Sequence, residues 1–459
     1  MIGRQDGHAQ APGAGGLHAS GNGALPRPVY LEKGDVFRTV GLPEELTIGL
    51  DAIAMTTSKS LQGFREIPPG THFLWIQLPG GVSRSGCWFI TGSRGVLRVK
   101  EWDKFNEILG EPERSSGDAQ SQRDGLDSIY SALKPYALHA HRDKPWTPMD
   151  NKDPIWARTP GSLWSILTSA VSRQALVRIT GKADDQEYLV ESTDGAEDDR
   201  RLAGQSPAGP RLNLLFTQDF RDLQVLDQGS TRDQVADTSS RIQSRLGTAD
   251  QTSRITERDI LADLQFTFLT GTHLSNSACL EHWWNLVLKM LLRAYGLVLS
   301  HPRLVRDFLT VLYAQLFYTE HYVASSSSQP DQQDEADDDR DNQHGPSSDR
   351  ALFQYKSQYR GRLRQVLAEY RRRLNGQLEG LRGSSITPDQ EAVGRAFEDL
   401  EAWLWRKGWD LREGEGKPGR GGGIRAVTAP DSEDEEDEQP VVVELDEQGR
   451  EVGLLSFSD

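Results

Sequence analysis

Few residues in this 459-residue chain carry spacing that could do chemistry. Gly414, Gly416 and Gly419 form a literal Gly-x-Gly-x-x-Gly. That motif cradles a pyrophosphate only where a strand precedes it and a helix follows, so that backbone amides converge on the anion. Here Lys417 and Pro418 fall inside the motif and Arg420 to Gly423 follow it, the composition of a flexible linker. With Arg425, the same stretch is similar to one RGG-type RNA contact, opposed by the neighbouring acidic run that repels phosphate. His139 and His141 alternate along an expected loop, and His282 sits beside Trp283. A metal ion needs three or four donors converging at ~2 Å, and no spaced set of His, Cys or carboxylates completes one. No metal and no cofactor is therefore expected. Cys87 lies in the apolar run Cys87-Trp88-Phe89-Ile90, the setting of an inert buried thiol rather than a nucleophile. With no G-x-S-x-G elbow, P-loop, zincin or kinase signature, an enzyme is not expected.

Two further groups point to binding. Trp283 with Trp284, and Trp403, Trp405 and Trp409, are partner anchors or core residues according to which way each helix face turns. Arg360, Arg362, Arg364, Arg371, Arg372 and Arg373 give one helix a basic face, open to RNA, to an acidic protein or simply to water. The formal charge is −16, but residues 331–341 carry −6 and 431–438 carry −7, which leaves the remainder near −3. A nearly neutral body argues against duplex DNA as a partner. Two cysteines exclude a disulfide framework and fit a reducing compartment. The most apolar stretch, 286–299, is broken by Lys289 and Arg293, so no membrane span is expected, and residues 1–24, rich in Gly, Ala and His with no apolar core, predict no secretory signal.

The elements around these residues divide in two. Short alternating runs at 36–40, 46–54, 72–78, 87–91 and 96–99, separated by Pro- and Gly-rich turns, predict a sandwich or curled sheet. Beyond a polar break at 110–125, the pattern predicts helices over 126–138 and 163–172, and strands over 175–178, 188–191 and 212–216. From residue 260 the period changes to helical, with helices expected over 260–270, 277–299 and 302–322. A fourth carries Tyr359, Leu363, Val366, Leu367, Tyr370, Leu374 and Leu378 on one face. A fifth starts at the capping box Thr387-Pro388-Asp389-Gln390 and stops at Gly408. The fold class is thus α+β in two domains, a β-rich sandwich-like N-terminal domain and an all-α C-terminal bundle. Expected bounds are a disordered extension at 1–27, the β-rich domain at 28–220, a linker at 221–255 and the helical domain at 256–410. The helical domain holds a solvated insert at 325–348. A Gly-rich and acidic linker at 411–439 and a strand with its tail at 440–459 complete the chain.

Several strings resemble one family. Gly41-Leu42-Pro43-Glu44, Gly49-Leu50-Asp51, Phe64 and the run from Ile67-Pro68-Pro69-Gly70 to Thr71-His72-Phe73 resemble the opening signature of the A1-cistron splicing factor family. Asp263-Leu264-Gln265-Phe266, Glu281-His282-Trp283, the segment from Val311 to Leu316 and the tail at 440–445 fit the same family. The resemblance implies a non-catalytic assembly factor of the U5 small nuclear ribonucleoprotein, acting on its precursor particle in cytoplasm and nucleus. It implies binding to the RNase-H-like and Jab/MPN-like domains of the large spliceosomal scaffold protein, exclusion of the RNA helicase, and release by phosphorylation. The alternative is a direct RNA-binding protein using the 360–373 helix and the Gly/Arg segment.

The tail gives this a physical form. Pro440, Val441, Val442, Val443, Glu444 and Leu445 strongly favour extended backbone, yet both flanks are polar and offer no strand to pair with. Addition to a partner's sheet edge satisfies those amides and carbonyls. Ser432, followed by Glu433-Asp434-Glu435-Glu436, suits an acid-directed kinase, and phosphate there adds about −1.5 to −2 charge beside the strand.

Overall fold

The computed structural model describes residues 29–79, 84–110, 112, 125–136, 154–182, 187–193, 212–227, 237–247, 255–323, 357–381 and 386–412. Among the described residues are ten strands: β1 Asp35–Val40, β2 Thr47–Leu50, β3 Ile53–Thr56, β4 Gly63–Ile67, β5 Gly70–Gln77, β6 Arg84–Thr91, β7 Leu97–Asp103, β8 Ile108–Gly110, β9 Lys134–Pro135 and β10 Glu187–Glu191. They form two five-stranded sheets, ordered β8-β7-β1-β4-β9 and β10-β6-β5-β2-β3. The first is mixed, since β1 runs parallel to β7 and β4 parallel to β9. The second is antiparallel throughout.

Alternation explains why the second sheet lies in the middle. On β5, His72, Leu74 and Ile76 face the first sheet, while Phe73 and Trp75 face away, and all five are buried. Between the sheets lie Phe37, Ile48, Phe64, Leu74, Phe89 and Trp102. The outer face, with Phe73, Trp75, Trp88, Tyr188 and Val190, joins a core continuous with the helices. A sheet buried on both faces reads as unbroken apolar runs, as Cys87-Trp88-Phe89-Ile90 does.

The helices are α1 Pro160–Leu167, α2 Arg173–Thr180, α3 Thr217–Asp227, α4 Ser239–Gly247, α5 Glu257–Leu274, α6 Ser277–Asn285, α7 Pro302–Tyr318, α8 Ser357–Glu379 and α9 Pro388–Arg406. The central one is α5, buried almost all round and started by a capping box of Thr256 and Asp259. Its Phe266 stacks on Trp88 at 5.6 Å, and Thr270 Oγ1 accepts the Trp88 indole N–H at 3.1 Å. At α9 the Thr387–Gln390 capping box forms as the sequence predicts. Its end is a Schellman turn: Gly408 has φ +80°, and the Trp409 and Gly408 amides donate to Leu404 and Trp405 carbonyls. The described residues fall in one unit ending at Arg412.

Five local expectations are corrected. Residues 175–178 lie within helix α2, capped by Ser172 and stopped by Gly181 in the left-handed region, and not in a strand. Residues 212–216 form no strand; they lead into α3, and the Asn213 and Leu215 amides are taken by the Ile179 carbonyl and by Asp263. The expected linker at 221–255 holds the end of α3 and all of α4, whose Ile242 is fully buried. The single helix expected over 277–299 breaks after α6 into a π-turn at Leu286–Met290 and a 3-10 turn at Leu291–Arg293. The 126–138 segment gives only one α-turn, Leu126–Ile129, before β9.

Candidate partner-binding site

Within the strings that carry the resemblance, Asp51, His72, Asp263, Gln265, His282 and Trp283 are buried and bind elements together. Asp51, with φ +56°, closes the β2–β3 turn and sits fully buried. Its Oδ1 accepts the Phe73 amide at 2.8 Å, and its Oδ2 accepts His72 Nδ1 at 2.7 Å and the Tyr136 hydroxyl at 2.5 Å. The other ring nitrogen of His72 meets the Pro68 carbonyl at 2.9 Å. An Asp–His pair is the core of many general bases, but a base must leave one nitrogen for substrate. Here both face acceptors, an arrangement that favours the doubly protonated, charged ring. Burial opposes that charge, yet Asp51's charge and hydrogen bonds and the Pro68 contact outweigh it and raise the pKa of His72. The pair clamps the Pro68-Pro69-Gly70 turn between β4 and β5. Gly49 serves the same region, because a Cβ there would stand 2.1 Å from the Trp75 indole.

The second string makes a matching joint in the helices. Asp263 is fully buried on α5; it pairs with Arg178 of α2 and accepts the Leu215 amide at 2.6 Å. Burial lifts its pKa to about 6 against the pull of Arg178. Gln265 accepts the Ala170 amide and donates to the Ile166 carbonyl, both at 2.8 Å. Trp283 donates to Gln315 at 2.8 Å, and Gln315 donates to the Leu264 carbonyl at 3.1 Å. His282 faces Asp263 Oδ2 at 4.0 Å, and burial pushes its pKa down to about 3, leaving it neutral. Cys87 is 1% exposed, with its thiol raised to about 12 by burial, so it holds no ready thiolate.

What this frame offers a partner is found at its margins. The β2–β3 pairing bonds Thr57 to Leu46, which turns the peptide groups of Ala54 and Thr56 to the open edge of the second sheet. The opposite edge is closed, since Lys182 donates to the Leu189 carbonyl and Asn276 to that of Glu191 at 2.9 Å. Among the tryptophans, Trp283, Trp403 and Trp409 are buried, Trp284 stacks flat on Tyr359 at 4.8 Å, and Trp405 is exposed. Among the described residues the most open aromatic is Phe105 at the β7–β8 hairpin tip, which belongs to none of the sequence motifs.

The arginine face on α8 is largely occupied by protein groups. Arg371 pairs with Glu401 at 2.9 Å, Arg372 and Arg373 both pair with Glu369, and Arg364 reaches the Asp410 carbonyl. Arg372 and Arg373 still keep 62% and 48% of their side chains open to solvent. The strand residues Pro440 to Leu445, Ser432, the Gly414–Gly423 run, His139 and His141 lie outside the described residues, as do the expected extension at 1–27 and the insert at 325–348. Among the described residues no group of His, Cys, Asp and Glu is placed to hold a metal ion, and no helix is long and apolar enough to cross a membrane.

Two family models match this chain, the AAR2 N-terminal domain over residues 33–181 and the AAR2 C-terminal repeat region over residues 225–412. A protein AAR2 homolog of Caenorhabditis elegans is 27% identical over 160 residues, covering 34% of this chain and 43% of the nematode protein. The macaque and human homologs are 21% and 22% identical over 286 residues, covering 60% of this chain and 74% of each relative. The matched segment thus spans less than half of the nematode relative and about three quarters of the primate ones. With both models matched in order over most of its length, the chain belongs to the AAR2 family of A1-cistron splicing factors.

Proposed function

We propose that this chain is a non-catalytic pre-mRNA splicing factor that chaperones assembly of the U5 small nuclear ribonucleoprotein. In this reading it binds the RNase-H-like and Jab/MPN-like domains of the large spliceosomal scaffold protein in the precursor particle and keeps the RNA helicase away. It would do so in cytoplasm and nucleus, with Pro440, Val441, Val442, Val443, Glu444 and Leu445 adding a strand to a scaffold sheet and phosphate on Ser432 opposing that contact. The observation that carries the reading is the match to both family models in order. The closed Asp51–His72 pair and the paired arginines of α8 support it over a hydrolytic or RNA-binding reading.

The test is binding of the full chain to an immobilised recombinant scaffold fragment holding both domains. Three or four strand hydrogen bonds at about 1 kcal/mol each exceed the ~1.4 kcal/mol that makes a decade of affinity. Deleting residues 440–459 should therefore weaken binding at least about tenfold, and Ser432→Glu should weaken it in the same direction. A full chain that does not bind the fragment refutes the function; a deletion without effect refutes the strand.

A further inference from the structure

The hairpin joining β7 to β8 reads Asp103-Lys104-Phe105-Asn106-Glu107, and the Phe105 side chain is 98% exposed. The next most open large apolar residue among those described is Ile155, at 76%. An aromatic ring so placed does nothing for the fold, because it covers no neighbour.

The loop that presents it is nevertheless tightly built. One oxygen of Asp103 accepts the Phe105 amide at 2.8 Å and the Asn106 amide at 3.2 Å. Its other oxygen accepts the Asn106 side-chain amide at 2.6 Å, and the Glu107 amide donates to the Asp103 carbonyl at 2.9 Å. Glu107 completes the turn with φ +56°. Those donors hold the Asp103 carboxyl below the usual carboxylate range. At the neck, Trp102 and Leu109 lie opposite one another across the hairpin and are buried between the sheets. The ring therefore stands on a stiff post fixed to the sandwich, so docking it costs little ordering entropy.

Chemistry narrows what can receive it. A bilayer is a poor host, since even one acyl chain anchors a protein only marginally and a phenyl ring is smaller. Stacking on a base is opposed by charge, because Glu101, Asp103 and Glu107 outnumber Lys104 around the tip and repel phosphate. A second copy of the chain is opposed by charge, because each copy carries a formal −16 and each tip the same acidic collar. A knob with an acidic collar fits an apolar cup with a basic rim on a different protein. We propose that Phe105 is a second anchor for the scaffold fragment, entering such a cup independently of the tail strand. This rests on the proposed function for the identity of the partner.

The experiment is calorimetric or optical titration of the full chain with the recombinant scaffold fragment. Phe105→Ala should weaken binding by about tenfold or more, the usual size of an aromatic hot spot, and Phe105→Leu by less. Asp103→Ala, which keeps the ring but frees the loop, should fall between wild type and Phe105→Ala. The melting temperature of Phe105→Ala should match wild type, because the ring is not packed, so a loss of binding reports the contact and not the fold. Wild-type binding with Phe105→Ala unchanged within about twofold overturns the anchor and leaves the proposed function standing. A wild-type chain that ignores the fragment overturns both. Self-association at rising protein concentration, abolished by Phe105→Ala, would assign the ring to a second copy and overturn the proposal.

Discussion

Substituting Phe266 by Ala tests whether the sheets and helices unfold together. Phe266 is fully buried on α5 and stacks on Trp88, which stacks in turn on Phe73 at 4.5 Å and donates to Thr270. The His273 ring of the same helix makes a second such contact, stacking on Trp75 at 5.1 Å. Truncation removes the ring and leaves a cavity whose walls cannot follow, because Trp88 is held by its hydrogen bond and α5 by the Asp263 and Gln265 joints. Phe→Ala changes of this kind cost about 3–5 kcal/mol. At about 2 cal/mol/K of unfolding entropy per residue, a unit of roughly 275 described residues loses about 2 °C per kcal/mol, so Tm should fall by roughly 5–9 °C.

The assay is thermal melting followed at once by far-UV circular dichroism, dominated by the helices, and near-UV ellipticity, where Trp75 and Trp88 of the sheet contribute. If the core is continuous, both signals move together in one transition. Val393→Ala supplies the control: Val393 is fully buried on α9, far along the chain from the sheet, and its loss should lower the same single transition by a smaller amount. Two separated transitions in Phe266→Ala, with the near-UV signal unmoved, would refute the idea that these elements share one cooperative core.

His72 gives a pH signature. Its folded pKa is raised, so its contribution is complete below the ordinary value of about 6.5 and is lost as pH rises through the higher folded value. Wild type should therefore exceed His72→Gln in urea midpoint by most below pH ~6, with the gap narrowing in alkali; a gap that widens with pH would be the wrong sign. A buried ion cluster gives the last prediction: Glu187 joins Arg98 at 3.2 Å and Lys100, both nearly sealed from water. Glu187→Gln removes the carboxylate that Arg98 and Lys100 share and should lower the denaturant midpoint by more than Lys100→Met, which leaves Glu187 with Arg98.

The strands β1, β5, β6 and β7 were legible because period-two alternation and Pro- or Gly-rich turns agree there. Helix α2 was not, since Ala175-Leu176-Val177 is too short for its period to be read. The decisive signals were its ends, with Ser172 accepting the Ala175 amide and Gly181 stopping the chain. The break after α6 could not be read locally at all. Thr238 Oγ1 donates to the Met290 carbonyl at 2.6 Å, the Thr238 amide to that of Arg293 at 3.1 Å, and Ser239 Oγ accepts the Gly296 amide at 2.8 Å. A segment some fifty residues upstream thus takes over the backbone groups that a continuous helix would use. The Asp51–His72 pair was hidden for the same reason: one member lies in the β2–β3 turn and the other on β5, and they meet only when Asp51 turns left-handed.

The buried polar residues of the family strings are therefore different residues from a docking tip such as Phe105. A buried carboxylate or imidazole without partners is costly, so the sequence around Asp51, His72, Asp263 and Gln265 has few substitutes that keep the joints closed. That rigidity makes them recognisable, and it also removes them from contact with anything outside. A tip such as Phe105 or an edge such as Ala54 to Thr56 is free of that internal constraint; the fold demands only that its stem be anchored. Motif reading alone thus finds the frame first, and a docking residue emerges only when its exposure and the stiffness of its loop can be weighed together.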